Sequence, residues 1–141
     1  DGVHVIEVDQ IDEEEARMEG LLQTARDLYL YERDMSAFDV VIRECPGTHG
    51  ALFASGMKLL YARPPNAAAA QAYLGQAVDK APENVTYLKE YAYCLSLLKQ
   101  YLPADFVYKR ALKVDPNNGQ LLYSYAWSLA DRKDAATLRP V

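Results

Sequence analysis

The side chains best suited to metal ligation or nucleophilic chemistry in this chain are His4, His49, Cys45 and Cys94. A structural zinc site needs about four closely arranged ligands, and no CxxC pair or Cys/His cluster occurs. Both cysteines read as small core residues, and two thiols make no disulfide framework, which favours a reducing interior while leaving the compartment open. His49 sits in a PGTHG loop and His4 in an N-terminal arm, neither paired by sequence with a nucleophile. There is no glycine-rich phosphate loop and no metal motif. The residues therefore predict a non-enzyme without metal or cofactor.

Charge is more informative by position than in total. Of the net −5, residues 1–20 carry eight acids against Arg17 alone, a balance of −7, whereas the remaining residues carry twelve acids and fourteen bases, a balance of +2. Nucleic-acid binding requires clustered Lys and Arg to displace counterions from phosphates, and the nearly neutral body offers no such block. Glu13, Glu14 and Glu15 read as a solvated first helical turn, where carboxylates favour the positive end of the helix dipole.

The chain has 141 residues, half of them apolar and a quarter charged, which suits one domain with a substantial core. No run approaches the ~18–20 apolar residues of a membrane-spanning helix, and the first residues lack the basic start and apolar run of a secretory signal. A soluble protein is expected. Residue 1 is Asp rather than Met, as in a processed or excised piece.

The elements that must position any functional surface are set by an internal repeat. Pro82 and Pro116 lie 34 residues apart, each after an apolar helical stretch. Counting back from them, Ala77 matches Ala111, Leu74 matches Tyr108 and Ala70 matches Ala104; upstream, Tyr61 matches Leu95, Lys58 matches Ala92 and Ala54 matches Leu88. The register continues forward to Leu122, Tyr125, Ala126 and Leu129, and backward with a step of 33 to Leu21, Thr24, Ala25, Leu28, Ala37 and Val41.

Helical spacing broken by short loops predicts helices over 12–33, 36–45, 50–62, 66–80, 85–100, 103–114 and 119–132. Ser36 with Asp39 resembles a capping box, Asn66 is a candidate N-cap, and Pro103 suits a first helical turn. Gly47, Gly50 and Gly119 mark loops. Residues 1–11 form an acidic and apolar arm, in which 3–8 alternate weakly. As most chain ends do, it would fray; the alternative is that such an exposed strand finds a burial partner, in the chain's own groove or on another protein. Residues 134–141 form a tail.

These positions resemble the tetratricopeptide repeat, a helix-turn-helix unit of about 34 residues. The best copy is 85–118, with Leu88, Tyr91, Ala92, Leu95, Tyr101, Ala104, Tyr108, Ala111 and Pro116 in the family's places. The copy at 51–84 departs at Lys58 and Ala67, and the copy at 18–50 lacks the final proline. The resemblance implies an all-α, right-handed α-solenoid of about three such hairpins within 12–133, with 119–132 as a lone closing helix.

In that family the first helix of each repeat lines a concave groove that holds a peptide. Carried over position by position, the groove would present Leu22, Arg26 and Tyr29, then Leu52, Ser55, Leu59 and Arg63. Further along it would present Lys89, Glu90, Tyr93 and Leu97, and finally Tyr123, Ser124 and Trp127. Tyr93 and Trp127 stand out as anchors one repeat apart, whereas Tyr91 and Tyr125 match packing positions. Leu22, Gly56, Thr86 and Glu90 stand where relatives that hold acidic chaperone tails use Lys, Arg or Asn, leaving only Arg26 of that clamp. The resemblance thus implies a non-catalytic adaptor or scaffold gripping an apolar or amphipathic segment of a partner protein. The alternatives are a structural subunit of a multiprotein assembly and a small chaperone shielding a client segment.

Overall fold

The computed structural model describes the backbone of residues 2–137 and the side chains of residues 13–134. Among the described residues the fold is all-α. Its helices are α1 (Gly2–Glu32), α2 (Ser36–Glu44), α3 (His49–Leu60), α4 (Ala67–Lys80), α5 (Val85–Leu97), α6 (Tyr101–Val114) and α7 (Gly119–Thr137). None is long and apolar enough to cross a membrane.

Each helix packs against the next in the chain. The odd helices also touch one another, α1 with α3, α3 with α5 and α5 with α7, while the even helices make no such contact among the described residues. The odd helices thus form the more closely spaced row, the inner row, of a repeat-like arrangement.

The repeat spacing explains the packing. Ala25, Ala54, Ala70, Ala77, Ala92, Ala104 and Ala111 are fully buried, and so are the bulkier Phe38, Phe53, Leu74, Leu88, Tyr108 and Leu121. A methyl at a crossing lets helices come close, and a large ring or leucine fills the space beside it, contributing on the order of 1.5–3 kcal/mol for each large side chain buried. Gly56 carries this furthest: a Cβ there would lie 2.6 Å from Leu74 Cδ2, so α3 and α4 meet where no side chain fits without displacement. Cys45 and Cys94 are buried free thiols.

Several boundaries differ from expectation. Helix α1 starts at Gly2, so residues 3–8 are helical rather than an extended arm, with their side chains, His4 included, outside the described residues. Glu13, Glu14 and Glu15 consequently stand several turns into α1 instead of in its first turn. Nothing between Val3 and Met18 breaks a helix, neither proline nor glycine, and the backbone hydrogen bonds run on. Gly50 and Gly119 are helical residues at the starts of α3 and α7. The tail is also shorter, because α7 continues through Thr137, and residues 138–141 lie outside the described residues.

Side-chain caps set two of the other starts. Asn66 accepts from the Ala69 N–H at 3.1 Å, and Asn84 accepts likewise from Tyr87 at 3.1 Å. No Ser36 box forms: the Asp34 carboxylate accepts the Ser36 N–H at 2.9 Å, and this bond holds the Asp34 carboxyl below its ordinary pKa. Helix α5 stops at Leu97 rather than residue 100 because Lys99 takes φ +61°, with Lys99 N–H donating to Ser96 C=O and Gln100 N–H to Leu95 C=O. That is a Schellman closure without glycine.

Candidate functional site

Four aromatic rings, one from each odd helix or its last turn, form a continuous strip across the inner row. Tyr29 of α1 and Tyr61 at the end of α3 have centroids 5.0 Å apart at 49°; Tyr61 and Tyr93 of α5 lie 6.1 Å apart at 14°; Tyr93 and Trp127 of α7 lie 5.2 Å apart at 58°. Two tilted pairs thus flank one stacked pair. The strip is part of the wall of a concave pocket of about 650 Å³, reaching from Gln23, Arg26, Asp27, Leu30 and Arg33 of the α1 end to Gly119, Gln120, Tyr123 and Ser124 of α7.

A buried carboxylate sits beneath the strip. Glu90 is only 7% exposed; Tyr61 Oη donates to its Oε2 at 2.7 Å, and Lys89 Nζ lies 3.6 Å from Oε1. A buried charge is tolerated only when so paired. Burial, and then the Glu90 charge and hydrogen bond, push the Tyr61 phenol far above its ordinary range, so it remains a donor. Tyr93 is raised by the same burial and the same carboxylate. The hydroxyls of Tyr29, Tyr93 and Tyr123 and the Trp127 indole N–H engage no other protein group among the described residues. All four residues line the pocket.

Two arginines and one carboxylate line the α1 end, and the Asp27 carboxylate accepts from the Gln23 side chain at 2.9 Å. Arg33 lies over the Tyr29 ring, with Cζ 5.3 Å from the centroid, and Arg26 donates to the Gln23 side chain at 3.2 Å. Neither guanidinium is in an ion pair among the described residues.

Of the residues picked from sequence, the structure brings Arg26, Tyr29, Lys89, Glu90, Tyr93, Tyr123, Ser124 and Trp127 to this pocket. It does not bring the others. Leu22 is buried in the core and borders a smaller cavity with Phe53 and Tyr87. Leu52, Leu59 and Leu97 pack against the core, Ser55 donates to the Ala51 carbonyl, and Arg63 is exposed in the loop after α3. Helix α3 is turned relative to the expected register, so Met57 and Tyr61 meet the pocket instead. Tyr61 was missed because its match to Leu95 marks an interior position; the only sequence hint is Glu90, an acid on an otherwise packed helix. Tyr91 and Tyr125 are half-buried against the core, Tyr125 stacked on Tyr108 at 4.7 Å.

His49, unpaired in sequence, gains two partners. Its Nε2 is 2.7 Å from Glu15 Oε1 and its Nδ1 2.8 Å from the Tyr87 hydroxyl, tying α1, α3 and α5 together. Tyr87 is buried and stacked on Phe53 at 4.4 Å. The bonds tie three helices together. Cys94, its thiol donating to the Ala67 carbonyl, is pushed up to about 11 by burial and is a poor nucleophile. No group of three His, Cys, Asp or Glu side chains among the described residues is placed to hold a metal.

Comparison with protein-family models, curated proteins and solved structures returns no match to this chain.

Proposed function

We propose that this chain is a tetratricopeptide-type α-solenoid acting as a non-catalytic adaptor, whose concave aromatic groove grips a segment of a partner protein. The observation that carries this reading is the ring strip Tyr29–Tyr61–Tyr93–Trp127, set along a pocket large enough for several side chains. Partly exposed aromatics with available polar tips are the usual anchors of protein interfaces. The repeat register supports the solenoid: Leu122, Ala126 and Leu129 of α7 are exposed, whereas Leu88, Ala92 and Leu95 one unit earlier are buried. A lone closing helix leaves that face bare.

Replacing both anchors, Tyr93→Ala with Trp127→Ala, should weaken partner binding by on the order of 2 kcal/mol or more with helicity nearly unchanged. Titration calorimetry beside far-ultraviolet circular dichroism reads both quantities. Unchanged affinity would remove the groove from the reading.

The same bare face favours a second reading, a structural subunit docked by its end. Leu122 and Leu129 are each 46% exposed there, and Leu122→Asp with Leu129→Asp would then abolish assembly while sparing groove binding.

A further inference from the structure

We infer that the groove, on the reading just given, takes an extended proline-rich segment with acidic residues at its α1 end. Neighbouring rings of the strip touch, and their faces turn by 49°, 14° and 58° from one to the next, making a corrugated aromatic surface. Flat, rigid pyrrolidine rings stack on such faces with little loss of conformational entropy. The successive centroid steps of 5.0, 6.1 and 5.2 Å are covered by about five residues of polyproline II, which rises ~3.1 Å per residue.

Hydrogen bonding points the same way. A polyproline II backbone leaves its carbonyls unpaired, and the groove is lined by Tyr93, Tyr123 and Trp127, whose O–H and N–H donors bond no protein group among the described residues. A helical ligand satisfies its own carbonyls and has no use for them. Charge sets the direction. Arg26 and Arg33 line the α1 end without an ion pair among the described residues and outnumber Asp27, whose carboxylate accepts from Gln23, while Glu90 is already met by Tyr61 and Lys89. Carboxylates of the segment therefore belong beside the two arginines.

The single tryptophan of the chain, Trp127, lies in the strip and reports directly on occupancy. The full chain is titrated with a synthetic peptide bearing glutamates ahead of a run of prolines. Comparison probes are the same peptide with alanine for proline, the same with glutamine for glutamate, an amphipathic helical peptide of equal charge, and single-stranded oligothymidylate. The proline peptide should shift Trp127 emission saturably and shield it from acrylamide. Alanine for proline should weaken binding about tenfold, and glutamine for glutamate should remove its salt dependence. Tyr123→Ala, at a side chain 76% exposed, should weaken it about tenfold with circular dichroism unchanged.

Tighter binding of the helical peptide would overturn the proline assignment and leave the groove as the peptide site. Tighter binding of oligothymidylate would overturn it in favour of base stacking. Full-strength proline-peptide binding by Tyr123→Ala would overturn it as well. No emission change or shielding with any probe would overturn both this inference and the groove reading.

Discussion

Ala104 shows how much one methyl group decides. It is fully buried in α6 at the position that the repeat matches to Ala70, itself fully buried in α4. Ala104→Leu should overfill that contact and lower stability by roughly 1–3 kcal/mol, measured by denaturant unfolding; an unchanged midpoint would contradict the register. Core alanines of this kind were legible in sequence because their spacing repeats. Individual groove residues were less so. Lys58 stands where Ala92 is buried one unit later, yet its flexible stem carries the ammonium out to Asp39. Leu22 takes the opposite course and turns into the core, since a leucine gains by burial whatever a family position suggests. The Glu15–His49–Tyr87 tie had no sequence signal at all, because it joins residues of three helices.

At the scale of elements, helix existence was readable from periodicity, and so were several ends: α2 begins at Ser36, α4 ends at Lys80 and α6 ends at Val114, as expected. Asn66 announces α4 with its carboxamide; the close of α5 at Lys99 depends on a left-handed backbone turn that glycine or asparagine would have advertised and lysine does not. The close approach at Gly56 was hidden as well. Gly56 reads as a helix weakener, but its missing Cβ is what admits Leu74, with a built Cβ only 2.6 Å from Cδ2 and 2.7 Å from Cγ. Gly56→Ala gains up to ~1 kcal/mol of helix propensity and loses more by displacing a fully buried leucine. Thermal unfolding should show a net fall. A rise would mean that α4 moves away from α3 without cost.

For the molecule as a whole, buried phenols couple stability to alkaline pH. Burial is the largest cause raising Tyr61, Tyr87 and Tyr108, the last to about 12. A phenol whose pKa is higher in the fold than in the unfolded chain contributes stability that is fully present below the unfolded value, ~10, and is lost as pH rises toward the folded one. The melting temperature should therefore decline above about pH 10, and Tyr108→Phe should make that decline shallower. An equally steep decline in the Phe variant would show that Tyr108 is not the coupled group. The inner row of odd helices carries the functional claim, since it alone sets four rings side by side. Nuclear magnetic resonance shift mapping tests that claim most directly, using labelled full chain and a peptide selected for binding from a random library. The account predicts perturbation of the Trp127 indole N–H and of the amides of Tyr93 and Tyr123. Perturbation confined to Leu102 and Phe106, which are 72% and 69% exposed on α6, would contradict it.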